Sequence, residues 1–423
     1  MTVRLSPRLI GLTLPALLLP GAATATNGYF SHGYGVQSLG QGGTGIALST
    51  DALAPATNPA NTGAGGDRAD LGLTLFLPRR SADVAGNAFG ADSHHDGDGR
   101  KVFAIPEAGF SQRLSPVLSW GLALYGNGGM NTEYASNPYG RFGAQGKAGV
   151  NLEQLFITPA LAYRPSPGQS LGLGVNLALQ RFSARGIGLF DGFSAAPGHV
   201  SDQGTDTSVG AGLRLGWTGT LAPGFTLGAT WSQKIRGRFD KYRGLFADAG
   251  RFDVPENAGL GLAWAATPDV TLLADAQRIR YSRVAAVGNP AARLFSGTPL
   301  GAAGGPGFGW RDVTVLKLGL QWRVQGDLTL RAGYSHTGQP VPASETFFNI
   351  LAPGVVQSHL TAGATWALSP HSEVSSYVAH APGKTVQGRQ SIPPGSPPAG
   401  LGGGEASVRL KETLLGASYA WTW

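Results

Sequence analysis

The chain contains no cysteine. That excludes a disulfide framework, a thiolate metal site and a thiol nucleophile. Charge is scarce: Asp, Glu, Lys and Arg make up 13% of the 423 residues, against roughly 25% in an average soluble domain. The formal net charge of +7 is spread along the chain. No basic run is dense enough for nucleic acid, which is not an expected partner. Beyond residue 25 no apolar run is long enough to cross a bilayer as a helix. Catalytic chemistry also lacks its parts, because the eight histidines are mostly scattered. His94, His95, Asp96 and Asp98 form one polar cluster, but their spacing matches no established zinc pattern. The glycine run at 301–309 lacks the following Lys-Ser/Thr and helix of a phosphate loop. No enzyme, cofactor or metal is expected.

Glycine is abundant: 66 residues, about twice its usual share. Period-two alternation is abundant as well. In "SLGLGVNLALQ", Leu171, Leu173, Val175, Leu177 and Leu179 alternate with Gly172, Gly174, Asn176, Ala178 and Gln180. "SVGAGLRLGWT", "FTLGATWS", "LTLRAGYS" and "HLTAGATW" repeat the pattern. So does "GASYAWTW", which places Tyr419, Trp421 and Trp423 on one face. The apolar faces suit lipid; the small polar faces, with Arg214, Lys317 and Arg331 among them, suit a lumen. Arg181 takes the outward phase at a strand end.

Fourteen such segments lie near 70–77, 105–113, 117–126, 152–164, 170–181, 207–219, 225–235, 256–265, 270–281, 312–322, 328–336, 358–368, 372–380 and 408–423. Short gaps alternate with long ones, as periplasmic turns alternate with external loops in outer-membrane barrels. The fold class read from this is all-β: a transmembrane antiparallel β-barrel of about 14 strands in the bacterial outer membrane. Residues 1–25 read as a secretory signal peptide, with Arg4 and Arg8, an apolar run and Ala23-Thr24-Ala25. Exposed Lys and Arg outside the cell are expected to meet anionic lipopolysaccharide.

Residues 26–68 fit no strand, yet carry Tyr29, Phe30, Tyr34, Val36, Leu39, Ile46, Leu48 and Leu53. A free tail has little use for these; a plug inside the barrel of 69–423 does. Asp51 is placed to cap a short helix there. The pieces "GYGVQSLGQGGTGIAL" and "ATNPAN" resemble the N-terminal hatch of the FadL/TodX family of outer-membrane long-chain fatty acid and hydrocarbon transport proteins. "WGLALYGNGGMNTEY", "FDKYRGLFADAGRFDVPENAGLGLAW", "GFGWRDVTVLKLGLQW" and "LRAGYSHTGQPVPASE" are similar to other parts of that family.

The resemblance implies a hatch of short helices plugging the lumen and passive, diffusive uptake of a hydrophobic solute by a monomer. The solute is expected to be a long-chain fatty acid, with an aromatic or alkyl hydrocarbon as the alternative. It also implies that the barrel assembly machinery recognises the aromatic ending. An external low-affinity groove would use Leu189, Phe190, Phe193, Leu245, Phe246 and Phe252, or these would only stiffen the mouth. In the lumen, ligand contact is expected at Tyr29, Phe30 and the motif Asn58-Pro59-Ala60. Lys317, Arg331 and Arg214 would meet a carboxylate or pair with lumen acids such as Asp275 and Glu153. An inward kink in the third strand would fall at Gly126, Asn127, Gly128 and Gly129 and open the wall sideways. Glycine weakens strands and marks bulges there; an ordinary loop start is the other reading. A general porin and a structural or adhesin barrel are the remaining rivals.

Overall fold

A computed structural model describes residues 27–423; the expected signal peptide lies outside the described residues. The strands are β1 (Arg68–Ala85), β2 (Ser93–Asp96), β3 (Phe103–Arg113), β4 (Leu118–Tyr134), β5 (Ala148–Ser166), β6 (Gln169–Arg185), β7 (Asp206–Ala222) and β8 (Phe225–Ser232). They continue as β9 (Asn257–Ala265), β10 (Val270–Ile279), β11 (Val313–Arg323), β12 (Leu328–Thr337), β13 (Ser358–Ser369), β14 (Ser372–Val386) and β15 (Glu405–Thr422). From β3 to β15 each strand pairs with the next in sequence, β1 pairs with β3, and β15 returns to β1 in register from Arg68↔Thr422 to Ala85↔Glu405. Closure removes free edges, as a wall in lipid requires. Fourteen strands form the ring; the short β2 lies beside the upper part of β1.

Alternation sets the two faces. Leu171, Leu173, Leu213, Leu215, Leu316 and Leu318 are exposed, while Asn176, Arg214 and Lys317 on the opposite phase are buried. Tyr163, Trp264, Trp322, Trp366 and Trp421 are exposed near the short-turn end. Amphipathic rings favour that level at a membrane–water interface.

The lumen below the long loops is filled by residues 27–67, which hold helices α1 (Val36–Gly40) and α2 (Ala54–Thr57) and a 3-10 turn at Pro59–Asn61. Inward glycines let this hatch lie backbone against wall. A Cβ at Gly109 would fall 2.6 Å from the carbonyl carbon of Ala52, and one at Gly319 would fall 2.7 Å from Gln41 O. At Gly172, Gly216, Gly228 and Gly333 it would overlap hatch atoms outright. Much of the glycine in the sequence thus serves close approach of two backbones. Asp51 does not cap α2. Its Oδ1 accepts from Leu53 N, while Leu53 itself is the cap residue and makes no side-chain cap bond.

Candidate functional site

The wall is interrupted beside β4. Strands β3 and β4 pair only from Ala108↔Leu124 down to Arg113↔Ser119, so Phe103–Glu107 and Tyr125–Asn131 have no ladder between them. The cause is local. Against β5, Gly126 sits opposite Leu155 and Gly128 opposite Gln154, leaving Asn127 as an inserted residue. Inward positions are odd up to 127 and even from 128 onward, the phase flip of a β-bulge.

Backbone groups freed from β3 must be satisfied elsewhere, because an unpaired group in hydrocarbon costs several kcal/mol. On β4 the hatch supplies partners for two of them. Gly129 N donates to Tyr29 O at 2.9 Å, and Ser31 N donates to Asn127 O at 3.0 Å. Asn127 Oδ1 accepts from the Tyr34 hydroxyl at 2.8 Å, and its Nδ2 donates to Gln154 Oε1 at 2.9 Å. Any side chain at Gly128 would collide with Tyr29 O. Above the gap, Arg80 reaches across from β1 to Asn131 O and Oδ1, both at 2.8 Å, and Glu133 pairs with residues 97–99. The interruption therefore has an upper and a lower rim. Just inside it lies a cavity of about 20 Å³ lined in part by Phe76, Met130, Trp310 and Leu410.

A file of buried, packed apolar side chains reaches this point from the long-loop end of the barrel. Phe190, Leu245 and Phe246 line one cavity of about 40 Å³ together with Phe182, Leu300, Phe308, Phe348 and Leu351. Phe252 is not in that lining; it joins Phe246 at 4.9 Å between ring centres and Tyr29 at 6.1 Å. Tyr29 meets Phe30 at 5.5 Å, and Phe30 forms a backbone bridge with Gly128. Phe193 lines a separate open cleft of about 300 Å³ with Leu294, Phe295 and Pro398. Leu189 is half-buried against the same apolar cluster.

The remaining expected lumen residues turn to the hatch. Asn58 Nδ2 donates to Ile46 O at 2.7 Å and to Trp217 O at 3.1 Å, and its Oδ1 accepts from Ala60 N. Pro59 and Ala60 lie buried in the turn that packs on Gly172. Arg214 donates to Ala56 O and to Thr57 O, Lys317 Nζ to Gly43 O at 3.1 Å, and Arg331 to Thr365 and Gln37. Asp275 sits opposite Lys317 in register, but its carboxylate accepts from Gly45 N and Ile46 N. Glu153 is not a lumen acid: it lies on the outward phase of β5 and pairs with Arg181 at 3.5 Å.

In the first long loop, His94 pairs with Asp83, His95 with Ser136 and Asp98 with Arg80, and β2 itself was not expected. No group of three or more metal-binding side chains converges among the described residues. Two features have little sequence signal. One is the aromatic ceiling of residues 346–351, held where Tyr139 donates to Phe347 O, Tyr134 to Ile350 O and Thr132 to Leu351 O. The run "TFFNIL" in an expected loop was its only hint.

The other is a pair of imidazoles. His32 of the hatch stacks on His359 of β13 at 4.9 Å and 10°, and neither His32 nitrogen has a hydrogen-bond partner. Burial, then the neighbouring His359 and Lys317, hold the His32 pKa well below 6.5. Glu412 also faces the pair, 3.4 Å from His359. A withdrawn hatch binds a proton on His32 below about pH 6.5, whereas the docked hatch does not, so docking weakens as pH falls through that range. Opening of the amides at residues 27–40, read as the exchange rate corrected for its intrinsic pH dependence, is expected to increase between pH 7 and pH 5 in the native chain. The His32→Phe variant should lose most of that increase; an equal increase would show that another group controls it.

Structural comparison places the fold among solved outer-membrane channels. The Pseudomonas putida toluene transporter TodX superposes with a TM-score of 0.66 at 18% identity, covering 93% of this chain and 99% of that one. A Pseudomonas aeruginosa FadL homologue gives 0.68 at 18% identity, again over 93% and 99%. The Ralstonia pickettii toluene transporter TbuX gives 0.64 at 17% identity over the same shares. No curated protein sequence matches the chain. The profile of the outer membrane protein transport family (OMPP1/FadL/TodX) matches residues 22–395, and the chain belongs to that family of outer-membrane β-barrels.

Proposed function

We propose that the protein is a monomeric channel for passive diffusion of hydrophobic solutes across the outer leaflet, with long-chain fatty acids as its principal substrate. The observation that carries this reading is the apolar file from the cavity around Phe190 and Phe246, through Phe252, Tyr29 and Phe30, to the unpaired stretch beside β4. Each CH₂ left in water costs about 0.8 kcal/mol relative to an apolar site. A route for such a solute must therefore stay apolar throughout. The opposite end of the lumen does not: its mouth is lined by Gln37, Arg68, Arg331, Thr365 and Glu373. Exit sideways at Gly126–Gly129 avoids that polar mouth, and the hatch strand at Tyr29–Ser31 is the gate. Lys317, Arg331 and Arg214 act as fasteners of the hatch. Insertion by the barrel assembly machinery belongs to the same reading.

A neutral aromatic hydrocarbon is the second reading, favoured by the ring-lined path and by the engagement of all three inward cations with protein atoms. Uptake of labelled oleate and labelled toluene separates the two in cells lacking their own channel of this family. Oleate uptake by the intact chain supports the first, toluene alone the second, and neither solute sinks both.

The external cavity gives a further expected outcome. Phe190→Ser with Phe246→Ser should weaken capture at low solute concentration by roughly tenfold, the factor for about 1.4 kcal/mol of lost apolar contact with the solute, or about two CH₂ groups' worth. Uptake at saturating solute should change little. An unchanged concentration dependence would show that these rings only stiffen the mouth.

A further inference from the structure

A second irregularity in the wall has nothing to do with the gate. Strand β8 is short: it pairs with β7 only from Arg214↔Ser232 to Ala222↔Phe225. Above it, residues 206–212 of β7 keep their ladder with β6 but have none on the β8 side, where Leu213 O is the last to accept, from Gln233 N. The chain after Ser232 dips behind β7, where Ile235 packs on the inner side of Gly210 and Gly212. It then forms a narrow arm of its own, bridged at Ile235↔Val254 and Arg238↔Arg251. The result is an outward cleft of about 560 Å³ lined by Thr207, Ser208, Val209, Arg236, Gly237, Arg238, Arg251 and Asp253.

The cleft is cationic. Arg251 and Lys234 both pair with Asp253, at 2.9 and 3.4 Å. Arg236 and Arg238 are exposed and make no ion pair among the described residues. The nearby acid Asp206 is engaged by backbone, accepting from Lys241 N and Thr207 N. Elsewhere at the same rim, Arg181 of β6 pairs with Glu153, Arg278 of β10 with Asp312, and Arg280 and Arg283 just beyond β10 with Glu256. Two guanidiniums are thus left unpaired in a concave site. Directly below them runs an exposed apolar column, Val209, Leu213 and Leu215, on the outward phase of β7.

Cations above an apolar column, at the boundary of the lipid-facing belt, match an amphiphile with an anionic head and acyl chains. Planar guanidinium suits phosphate oxygens in particular, because it offers parallel N–H donors and remains charged at all relevant pH. We propose that this cleft binds the phosphorylated head of a glycolipid of the surrounding leaflet, with Arg236 and Arg238 on phosphate and the acyl chains along β7.

The test titrates the detergent-purified full chain with bisphosphorylated lipid A and reads retained lipid by native mass spectrometry. The native chain is expected to retain lipid A at least about tenfold more tightly than an Arg236→Gln/Arg238→Gln variant, the loss of charge-assisted contacts accounting for the difference. Dephosphorylated lipid A should bind the native chain as weakly as lipid A binds the variant. Both substitutions are exposed, and heat-modifiable gel migration checks that the barrel is intact. Arg323→Gln, at the opposite rim, should bind like the native chain. Equal retention by native and doubly substituted chains would overturn the proposal, as would equal binding of the dephosphorylated lipid. Displacement of lipid A by millimolar inorganic phosphate would reassign the cleft to a free anion and overturn the lipid assignment.

Discussion

Deleting Asn127 is expected to lower uptake of a hydrophobic solute by roughly tenfold or more, the factor produced by each ~1.4 kcal/mol added to a barrier. Asn127 is the residue in excess between Gly126↔Leu155 and Gly128↔Gln154. Removing it makes the register continuous. It also preserves every side-chain direction, because Gly128, Met130 and Thr132 already face inward above the bulge. The upper part of β4 can then extend its ladder toward β3, and the interruption closes. The hatch loses its backbone partners at Tyr29 and Ser31 but keeps the wall contacts of α1 and α2 and the bond from Asn58 to Trp217 O. Barrel insertion, read by heat-modifiable migration, should therefore be unchanged. Unchanged uptake in a correctly inserted deletion variant would remove β4 from the route.

Gly172→Val with Gly216→Val is expected to convert a closed barrel into a conducting one. A Cβ at either position overlaps hatch atoms of Asn58, Pro59 or Ala60. Overpacking of this kind costs about 1–3 kcal/mol per site. The two sites press on one turn, so their effects will not simply add. The wall is closed by its ladders and cannot give way cheaply; the hatch, held by side-chain bonds such as Arg214 to Thr57 O, can. The population with a displaced hatch should rise by about 10- to 100-fold. Single-channel recording in planar bilayers would show it as new, frequent ionic openings. Silent bilayers with a correctly folded double variant would show that the hatch does not close the lumen.

The strands were legible in the sequence because alternation is a strict consequence of a wall with lipid on one side. All fourteen expected segments overlap a barrel strand. The ends extend beyond expectation where a long loop continues the ladder, as in β1 and β14. Strand β2 carries no such signature, because "SHHD" has no apolar phase to display. For the inward cations, phase revealed the direction of Arg214, Lys317 and Arg331 but not their partners, which are backbone carbonyls or amide and hydroxyl groups of residues far away in the chain. The glycines "GNGG" were visible as a weak spot in β4. That Asn127 is the inserted residue emerges only from the register with β5. His32 and His359 come from opposite ends of the chain, and nothing local to either predicts their stacking.

On the proposed route the solute leaves through the wall beside β4 and not through the polar mouth below the hatch. A photoactivatable alkyl probe, taken up by cells carrying the native chain and cross-linked during transport, tests it most directly. The account predicts adducts on peptides containing Phe103–Ile105 and Tyr125–Met130, with none on Arg68, Arg331 or Thr365. Adducts concentrated on the latter three, with none beside β4, would contradict it.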